Sequence, residues 1–238
     1  MRENTRGTLI TGTDTGIGKT TVACALIAAL RHRGLSIGVY KPAETGCTYT
    51  RRILSGPDCR ILAAAAGSHQ GADEVASYLF ELPAAPLVAA EAAGKRIDPL
   101  VLVQGYEALQ KRFGHIIVEG AGGLMVPLAD GYTYLDLARH LKLDVVVVVG
   151  SRLGCINHAL LTFATIQASG VRMRGYVVNT MLPEKDDPVA PQSNRRTISR
   201  FTRYPDLGLF PYVDPKDVED YDKLAAIAER TLDLKSFL

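Results

Sequence analysis

Several features that mark common classes of protein are scarce in this sequence of 238 residues. The four cysteines, Cys24, Cys47, Cys59 and Cys155, have no CxxC spacing, and the five histidines form no HExxH motif, so we expect no transition-metal site and no disulfide framework. The most apolar segment, DVVVVVG at 144–150, is too short to span a bilayer, and no apolar run of signal-peptide length precedes it near the start. The expectation is a cytoplasmic protein without a membrane partner.

An excess of charge of one sign is also lacking. A formal net charge of +2 does not create the broad positive field that attracts nucleic acids. The one basic cluster, SNRRTISRFTR at 193–203, is interpreted as a solvated helix face or a surface loop rather than as a phosphate patch. We therefore expect no nucleic-acid partner.

The sequence does contain an alternation of short β-branched runs with longer helical patterns. Strands, several of them apolar on both faces, are predicted at residues 7–13, 36–42, 115–122, 144–150, 175–180 and 207–211. Helices are predicted at residues 19–34, 58–67 with Asp58 as its N-cap, 98–114, 154–170 and 220–232. This alternation predicts one α/β domain over residues 1–238, a doubly wound, mostly parallel sheet with helices on both faces and ligands at the carboxyl ends of the strands. Residues 181–194 are predicted to form a surface loop.

The clearest functional signal is TGTDTGIGKTT at 11–21, a glycine-rich loop between the first predicted strand and helix. Gly12 and Gly18 enclose five residues, one more than the usual phosphate-loop spacing. In this context the backbone N–H groups and the helix N-terminus face an anion, Lys19 reaches the β- and γ-phosphates, and the Thr20 hydroxyl ligates Mg²⁺. The motif therefore predicts a site for a nucleoside triphosphate with magnesium.

Two acidic residues and one lysine are predicted to join this loop at the strand ends. Glu119 lies near the end of HIIVEG, before a GAGG stretch that is suited to a phosphate-facing nest. Asp58 begins a predicted helix, where it is either a second carboxylate for Mg²⁺ or a plain N-cap. Lys41 follows the second strand in YKPAETG, and we interpret it as a second cation near the γ-phosphate rather than a surface lysine.

Two further sites are less decided. The segment SRLGCINHALLT at 151–162 places a glycine-containing turn at a helix N-terminus, a position that suits a carboxylate ligand. Cys155 in that turn is either an activated thiol or, as we favour, a small structural residue. Asn179 ends a buried strand, where it is either the contact for an adenine edge or a loop-capping side chain.

With these motifs in sequence order, the chain resembles the dethiobiotin synthetase family from the first strand to about Pro211. The resemblance rests on GTDTGIGKT, YKPAETG, VEGAGGLMVPL, VGSRLGCINHALLT and VVNT, and the family's own phosphate loop has the longer spacing. Such a protein is expected to join 7,8-diaminononanoate and CO₂ with Mg²⁺ and ATP, and to release dethiobiotin, ADP and phosphate. The resemblance also implies a homodimer in which the helix that begins at LGCIN binds the substrate carboxylate in the partner's site.

The resemblance assigns residues by matching position. The catalytic residues are Lys41 and Lys19, and the magnesium ligands are Thr20, Asp58 and Glu119. The nucleotide-binding residues are Gly16, Ile17, Gly18, Lys19, Thr20, Thr21, Asp58, a second nucleotide loop of Glu119, Gly120, Ala121 and Gly122, then Asn179, Thr180, Pro211, Tyr212 and Val213. The substrate-binding residues are Thr15, Lys41, Thr45, Leu153, Gly154, Cys155 and Asn157. Gly16 departs from those members of the family that have glutamate at that position, and residues 181–197 do not align with the family.

Three alternatives share part of this pattern. Partition and septum-site ATPases have the same predicted sheet, but they carry an extra lysine early in the loop, where this sequence has Asp14. Amide-forming ligases of corrinoid synthesis have an added glutamine-hydrolysing domain, for which the chain has no room. A small-molecule kinase would share the phosphate loop but would form no cyclic urea.

Overall fold

The structure is a computed structural model that describes residues 6–183 and 190–237. Its strands are β1 Arg6–Gly12, β2 Ile37–Tyr40, β3 Ala43–Thr45, β4 Thr48–Thr50, β5 Ile53–Ser55, β6 Tyr78–Phe80, β7 His115–Gly123, β8 Pro127–Ala129, β9 Tyr132–Thr133, β10 Asp144–Ser151, β11 Met173–Thr180 and β12 Asp206–Phe210. Its α-helices are α1 Lys19–His32, α2 Pro57–Ala66, α3 Ala72–Val75, α4 Pro86–Ala92, α5 Pro99–Gln110, α6 Tyr134–His140, α7 Cys155–Ser169, α8 Ala190–Phe201 and α9 Tyr221–Thr231. In this part of the chain, no helix is long and apolar enough to cross a membrane.

Six of the strands form one sheet, in the order β12-β11-β10-β1-β7-β2. All five pairs of neighbours are parallel. The first strand, β1, lies in the interior of the sheet, where Leu9 pairs with Val118 of β7 and with Val145 of β10. These are the six strands that the sequence predicts, so the doubly wound parallel fold is confirmed.

Both faces of the sheet are covered, which explains the run of valines in β10. Val146 and Val148 belong to a core cluster with residues of α1, α2 and α9. Val147 and its odd-numbered neighbours belong to a second cluster, which includes residues of α5, α6, α7 and α8. Since successive side chains of a strand point to opposite faces, a strand buried on both sides has no polar position to alternate with.

The site is expected where the crossover connections diverge. The connection after β1 crosses one face of the sheet through α1, whereas the connections after β10 and β11 cross the other face through α7 and α8. Because β1 and β10 are neighbours, a crevice opens between the loops that follow them. The phosphate loop and the turn before α7 therefore lie side by side at the carboxyl edge.

Two local predictions are wrong. Asp58 does not cap α2: the helix begins at Pro57, whose ring suits the first helical position, and Gly56 is the N-cap. The predicted loop at 181–194 is shorter than expected, because its last residues form the first turn of α8, which is anchored in the core by Ile198. Residues 184–189 of that loop lie outside the described residues.

The covered faces predict a large cost for shortening a core side chain. Leu26 of α1 is fully buried, whereas Leu100 of α5 is mostly exposed. We expect Leu26→Ala to lower the free energy of unfolding by about 2 to 5 kcal/mol, the usual range for a core leucine. Leu100→Ala is the matched control and should change it by about 0.5 kcal/mol or less. Urea titration followed by circular dichroism measures both, and equal effects would contradict the assignment of the core.

Candidate magnesium-nucleotide site

A cavity of about 440 Å³ lies at the carboxyl edge of the sheet, beside β1, β2 and β7. It collects most of the residues that the sequence analysis assigns to nucleotide, metal and catalysis. Its lining consists of Thr15, Gly16, Ile17, Gly18, Lys19, Thr20, Thr21, Lys41, Glu44, Thr45, Asp58, Ile61, Glu119, Gly120, Ala121 and Gly122. Segments that are distant in the sequence therefore meet at one place, as the parallel sheet predicts.

The phosphate loop is held in shape by a glycine and an asparagine. Gly18 is the N-cap of α1 and has a left-handed backbone with φ +80°. The Nδ2 of Asn179 donates a hydrogen bond of 2.8 Å to the carbonyl of Ile17. A Cβ on Gly18 would lie 2.3 Å from that Nδ2, so the loop and β11 are packed too closely for any side chain here. Asn179 has the loop-capping role, while its contact with adenine stays a prediction.

Lys19 lies against the loop that it is expected to serve. Its side chain is buried, and its Nζ donates a hydrogen bond of 3.1 Å to the carbonyl of Asp14. Burial lowers the pKa of Lys19, an effect that the nearby carboxylate of Glu119 opposes and the Lys41 ammonium reinforces. A bound phosphate group would favour the charged form of Lys19, which burial disfavours.

Lys41 is the centre of the site. Its Nζ donates a hydrogen bond of 2.7 Å to Oε1 of Glu119 and a second, short one to Oδ2 of Asp58. The side chain is only 4% exposed, which excludes the alternative of a surface lysine. Burial would lower the pKa of Lys41, but the two carboxylates outweigh it and hold the pKa above its ordinary value. The lysine is therefore a buried cation between two anions.

The donor set fits Mg²⁺. Asp58 and Glu119 converge on one cation, and Thr20 Oγ1 donates a hydrogen bond of 2.9 Å to the same Oε1 of Glu119. The second oxygen, Oε2 of Glu119, is buried and has no hydrogen-bond partner in the part of the chain that the structure describes. Carboxylate and hydroxyl oxygens are the hard ligands that Mg²⁺ takes in nucleotide sites, where water and phosphate supply the rest. An unpaired carboxylate oxygen on a side chain that is hydrogen-bonded to Thr20 of the phosphate loop is suited to such an ion.

Glu44 is a residue that the sequence analysis missed. It lines the cavity, and its side chain is nearly fully buried. Both of its carboxylate oxygens accept backbone N–H groups at the start of α2, from Asp58 at 2.8 Å and from Cys59 at 2.9 Å. The sequence did contain a signal, because Glu44 lies three residues after Lys41 and is the one acidic residue in the segment from 37 to 50. An acidic residue in a segment that enters the core is rarely buried unless it is paired.

The second nucleotide loop, residues 119–122, lies at the end of β7, which the sequence analysis predicts as a strand over residues 115–122. The strand continues through Gly123, which pairs with Gly12 of β1 after an irregularity in register. Gly122 has a positive φ of +63°, so the strand end is bent, and residues 119–122 line the cavity. Their contact with a nucleotide stays a prediction.

The residues assigned to the adenine end lie outside this cavity. Asn179 pairs with Phe210, so the ends of β11 and β12 are adjacent, with Thr180 on one strand and Pro211–Val213 following the other. The Asn179 side chain contacts the phosphate loop from that direction. The assigned residues are therefore neighbours, and their contact with a nucleotide stays a prediction.

The turn before α7 is tied to the phosphate loop and is open to solvent. Arg152 forms an ion pair with Asp14, and Leu153 is fully exposed. Gly154 is the N-cap of α7 with φ +93°, and no side chain caps the helix. Cys155 is buried, and burial raises the pKa of its thiol, which favours the structural role over the activated thiol. Asn157 is exposed on the same turn.

The fold and the site together define the class of protein. It has the fold of a P-loop nucleoside triphosphatase, with a parallel sheet and two carboxylates that suit Mg²⁺. Solved structures agree on the fold. A ParA family ATPase from Chlorobium tepidum TLS aligns with a TM-score of 0.55 at 12% identity, over 95% of this chain and 92% of its own. MinD from Aquifex aeolicus aligns with a TM-score of 0.55 at 15% identity, over 94% of this chain and 89% of its own.

Sequence relatives define the family within that class. A family model described as "AAA domain" matches residues 6–219. The ATP-dependent dethiobiotin synthetase of Aromatoleum aromaticum is 40% identical over 90% of this chain and 95% of its own. That of Nitrosospira multiformis is 39% identical over 94% of this chain and 96% of its own. The chain belongs to the family of ATP-dependent dethiobiotin synthetases.

The close packing of the phosphate loop generates a prediction about two of its glycines. Gly16 and Gly18 both have positive φ, but a Cβ meets nothing within 4 Å at Gly16 and collides with Asn179 at Gly18. Gly16→Ala should add only backbone strain, about 1 to 2 kcal/mol. Gly18→Ala adds the loss of the Asn179 contact, and we expect its affinity for Mg-ADP to be roughly tenfold lower again. Calorimetry measures both, and equal losses of affinity would contradict the packing argument.

Proposed function

We propose that this chain closes the ureido ring of dethiobiotin from 7,8-diaminononanoate and CO₂ at the expense of ATP. One amine of the substrate adds to CO₂ and loses a proton, which gives a carbamate. A carbamate oxygen then attacks the γ-phosphorus, and the bond to ADP breaks. The second amine attacks the carbonyl carbon of the resulting mixed anhydride, the ring closes, and phosphate leaves with the oxygen it received.

One observation carries this proposal: the cavity brings the buried ammonium of Lys41 and the phosphate-loop Lys19 together with two carboxylates that fit Mg²⁺. The reaction must bring an anionic carbamate against an anionic triphosphate, so it needs preorganised positive charge where the two meet. Lys19 is suited to hold the β- and γ-phosphates. Lys41 reaches the same cavity as Thr45, which the family resemblance assigns to the substrate.

Thr20, Asp58 and Glu119 are the residues that would hold the metal ion. When bound, Mg²⁺ neutralises phosphate charge and orients the oxygens of the nucleotide. The chain's own part is to keep the two carboxylates close together in a buried place, where the ammonium of Lys41 already offsets their repulsion. A base-selective contact is assigned to Asn179, Thr180 and residues 211–213.

Two measurements test the proposal: the formation of product, and the turnover of a variant that lacks the charge of Lys41. The protein is incubated with diaminononanoate, bicarbonate and Mg-ATP, and dethiobiotin is sought by mass spectrometry. Lys41→Gln should lower turnover about a hundredfold or more, the scale for loss of one preorganised electrostatic contact. The exposed Lys95 supplies the control, Lys95→Gln, which should turn over normally. Absence of product with ATP, CTP and GTP alike would contradict the reaction, and normal turnover of Lys41→Gln would contradict the role of Lys41.

We further propose that the working form is a homodimer with shared sites. Apart from the buried Cys155, the turn from Leu153 to Asn157 reaches solvent, and its helix N-terminus has no side-chain cap among the described residues. The Cys155 N–H donates to the carbonyl of Arg152 at 3.0 Å, so the N–H groups of Ile156 and Asn157 are the ones proposed to meet an anion. The substrate carboxylate is the expected anion, bound by the turn of the partner subunit. The ion pair of Arg152 with Asp14 joins this turn to the phosphate loop of the same chain, so the position of one depends on the position of the other.

Mixed dimers test the shared site. Gly154→Pro cannot keep φ +93°, because proline fixes φ near −65°, so it should lose substrate binding and still bind ATP. Lys41→Gln should lower turnover at its own subunit's cavity and leave the turn at residues 153–157 intact. In a mixed dimer one site carries both lesions and the other neither, so an equal mixture after subunit exchange should recover about a quarter of native activity. Native mass spectrometry with one tagged variant establishes exchange, and background activity in confirmed mixed dimers would show that each turn serves its own subunit.

A further inference from the structure

The start of α2 is held by a carboxylate that belongs to another element. The helix has Gly56 as its N-cap, followed by Pro57, and no side chain of its own caps it. Glu44, from β3, accepts the backbone N–H groups of Asp58 and Cys59, one with each oxygen. The buried carboxylate of Glu44 therefore accepts the N–H groups that an N-cap side chain normally accepts. One of these N–H groups belongs to Asp58, the residue assigned to the metal ion.

Gly56 is shaped to admit this carboxylate. Its φ of −89° is open to any residue, so its backbone conformation does not require glycine. A Cβ at this position, however, would lie 2.1 Å from Oε2 of Glu44. Gly56 is therefore needed for the close approach of Glu44, and a side chain at position 56 would displace the carboxylate.

The charge of Glu44 also matters for a cation. The N-terminus of a helix carries a partial positive charge, which disfavours a metal ion bound beside it. Asp58 lies in the first turn of α2, so the magnesium site that it serves is next to that positive end. The carboxylate of Glu44 compensates the N-terminal charge at the two N–H groups it accepts. Capping by a neutral group would hold the backbone but would leave this charge in place.

We propose that Glu44 is a positioning residue of the magnesium site, which fixes the first turn of α2 so that Asp58 is aimed at the cation held with Glu119. This inference rests on the proposed role of Asp58 as a magnesium ligand. Glu44 acts through Asp58 and touches no reacting atom. The Asp58 carboxylate is 35% exposed, so its direction depends on the backbone to which it is attached. Loss of a residue that orients a metal ligand typically weakens metal affinity by about 10- to 100-fold.

A purely structural cap is the alternative, and the chain offers a matched control for it. Asp98 caps α5 by accepting the N–H of Leu100 at 2.8 Å, and it does not line the cavity. Asp98→Ala should lower the melting temperature through loss of the cap and leave metal affinity unchanged. A change in metal affinity is therefore the result that distinguishes positioning from stability.

The experiment measures Mn²⁺ affinity of the full chain by electron paramagnetic resonance with ADP bound, and in parallel the Mg²⁺ concentration for half-maximal activity. Glu44→Gln keeps the shape but replaces one acceptor with a donor and removes the charge, and we expect about tenfold weaker Mn²⁺ binding or more. Gly56→Ala should reproduce this loss by displacing Glu44. In a background of Asp58→Asn, Glu44→Gln should cause a much smaller further loss, because the side chain that it positions is no longer a full ligand.

The outcomes separate this inference from the proposed function. Native Mn²⁺ affinity in Glu44→Gln, or a loss that adds in full to that of Asp58→Asn, overturns the positioning role alone. Native affinity in Asp58→Asn overturns the assignment of Asp58 and this inference with it. If Glu44→Gln does not fold, Glu44→Asp provides the measurement: it keeps the charge but shortens the reach, and native affinity in that variant also counts against positioning.

Discussion

The ion cluster of Lys41, Asp58 and Glu119 is the interaction on which the site depends. Burial of Lys41 and Glu119 is costly, and the attraction within the cluster offsets that cost only while all three side chains keep their geometry. Two carboxylates without a cation between them would repel each other. The cluster therefore holds the ends of three separate segments at one place, and it keeps the carboxylates as close together as a metal ion needs.

The sheet makes this cluster possible. Lys41 follows β2, Glu119 lies in β7, and the phosphate loop follows β1. These three strands are neighbours in the order β1-β7-β2, so parallel pairing brings their carboxyl ends side by side. The cores on both faces are apolar, and the charged side chains of the site lie at the carboxyl edge. The fold concentrates charge at the point where the nucleotide is expected.

The site also shows how helix termini are used in two ways. At α1 the terminus is left to the ligand, since the N-cap Gly18 has no side chain to satisfy the first N–H groups. At α2 the terminus is occupied by Glu44, whose charge makes the first turn compatible with a neighbouring cation. The two helices thus present opposite electrostatic surroundings a short distance apart, one for phosphate and one for metal.

The sequence alone determined those features whose physical cause is local. The six strands of the sheet were readable because β-branched runs buried on both faces have a simple pattern, and the phosphate loop because its residues act together within one turn. Lys41 and Glu119 followed from their places at strand ends. Helix α2 was recognised, but its cap was misassigned, because the capping carboxylate of Glu44 is fourteen residues away in the sequence. The strand at 115–122 was predicted, but its bent end was not, since the irregular pairing of Gly123 with Gly12 of β1 is a tertiary contact. Only the folded chain decided how Asn179 meets Ile17 and how Glu44 meets Asp58, because such contacts depend on the distance between segments and not on the residues of either one.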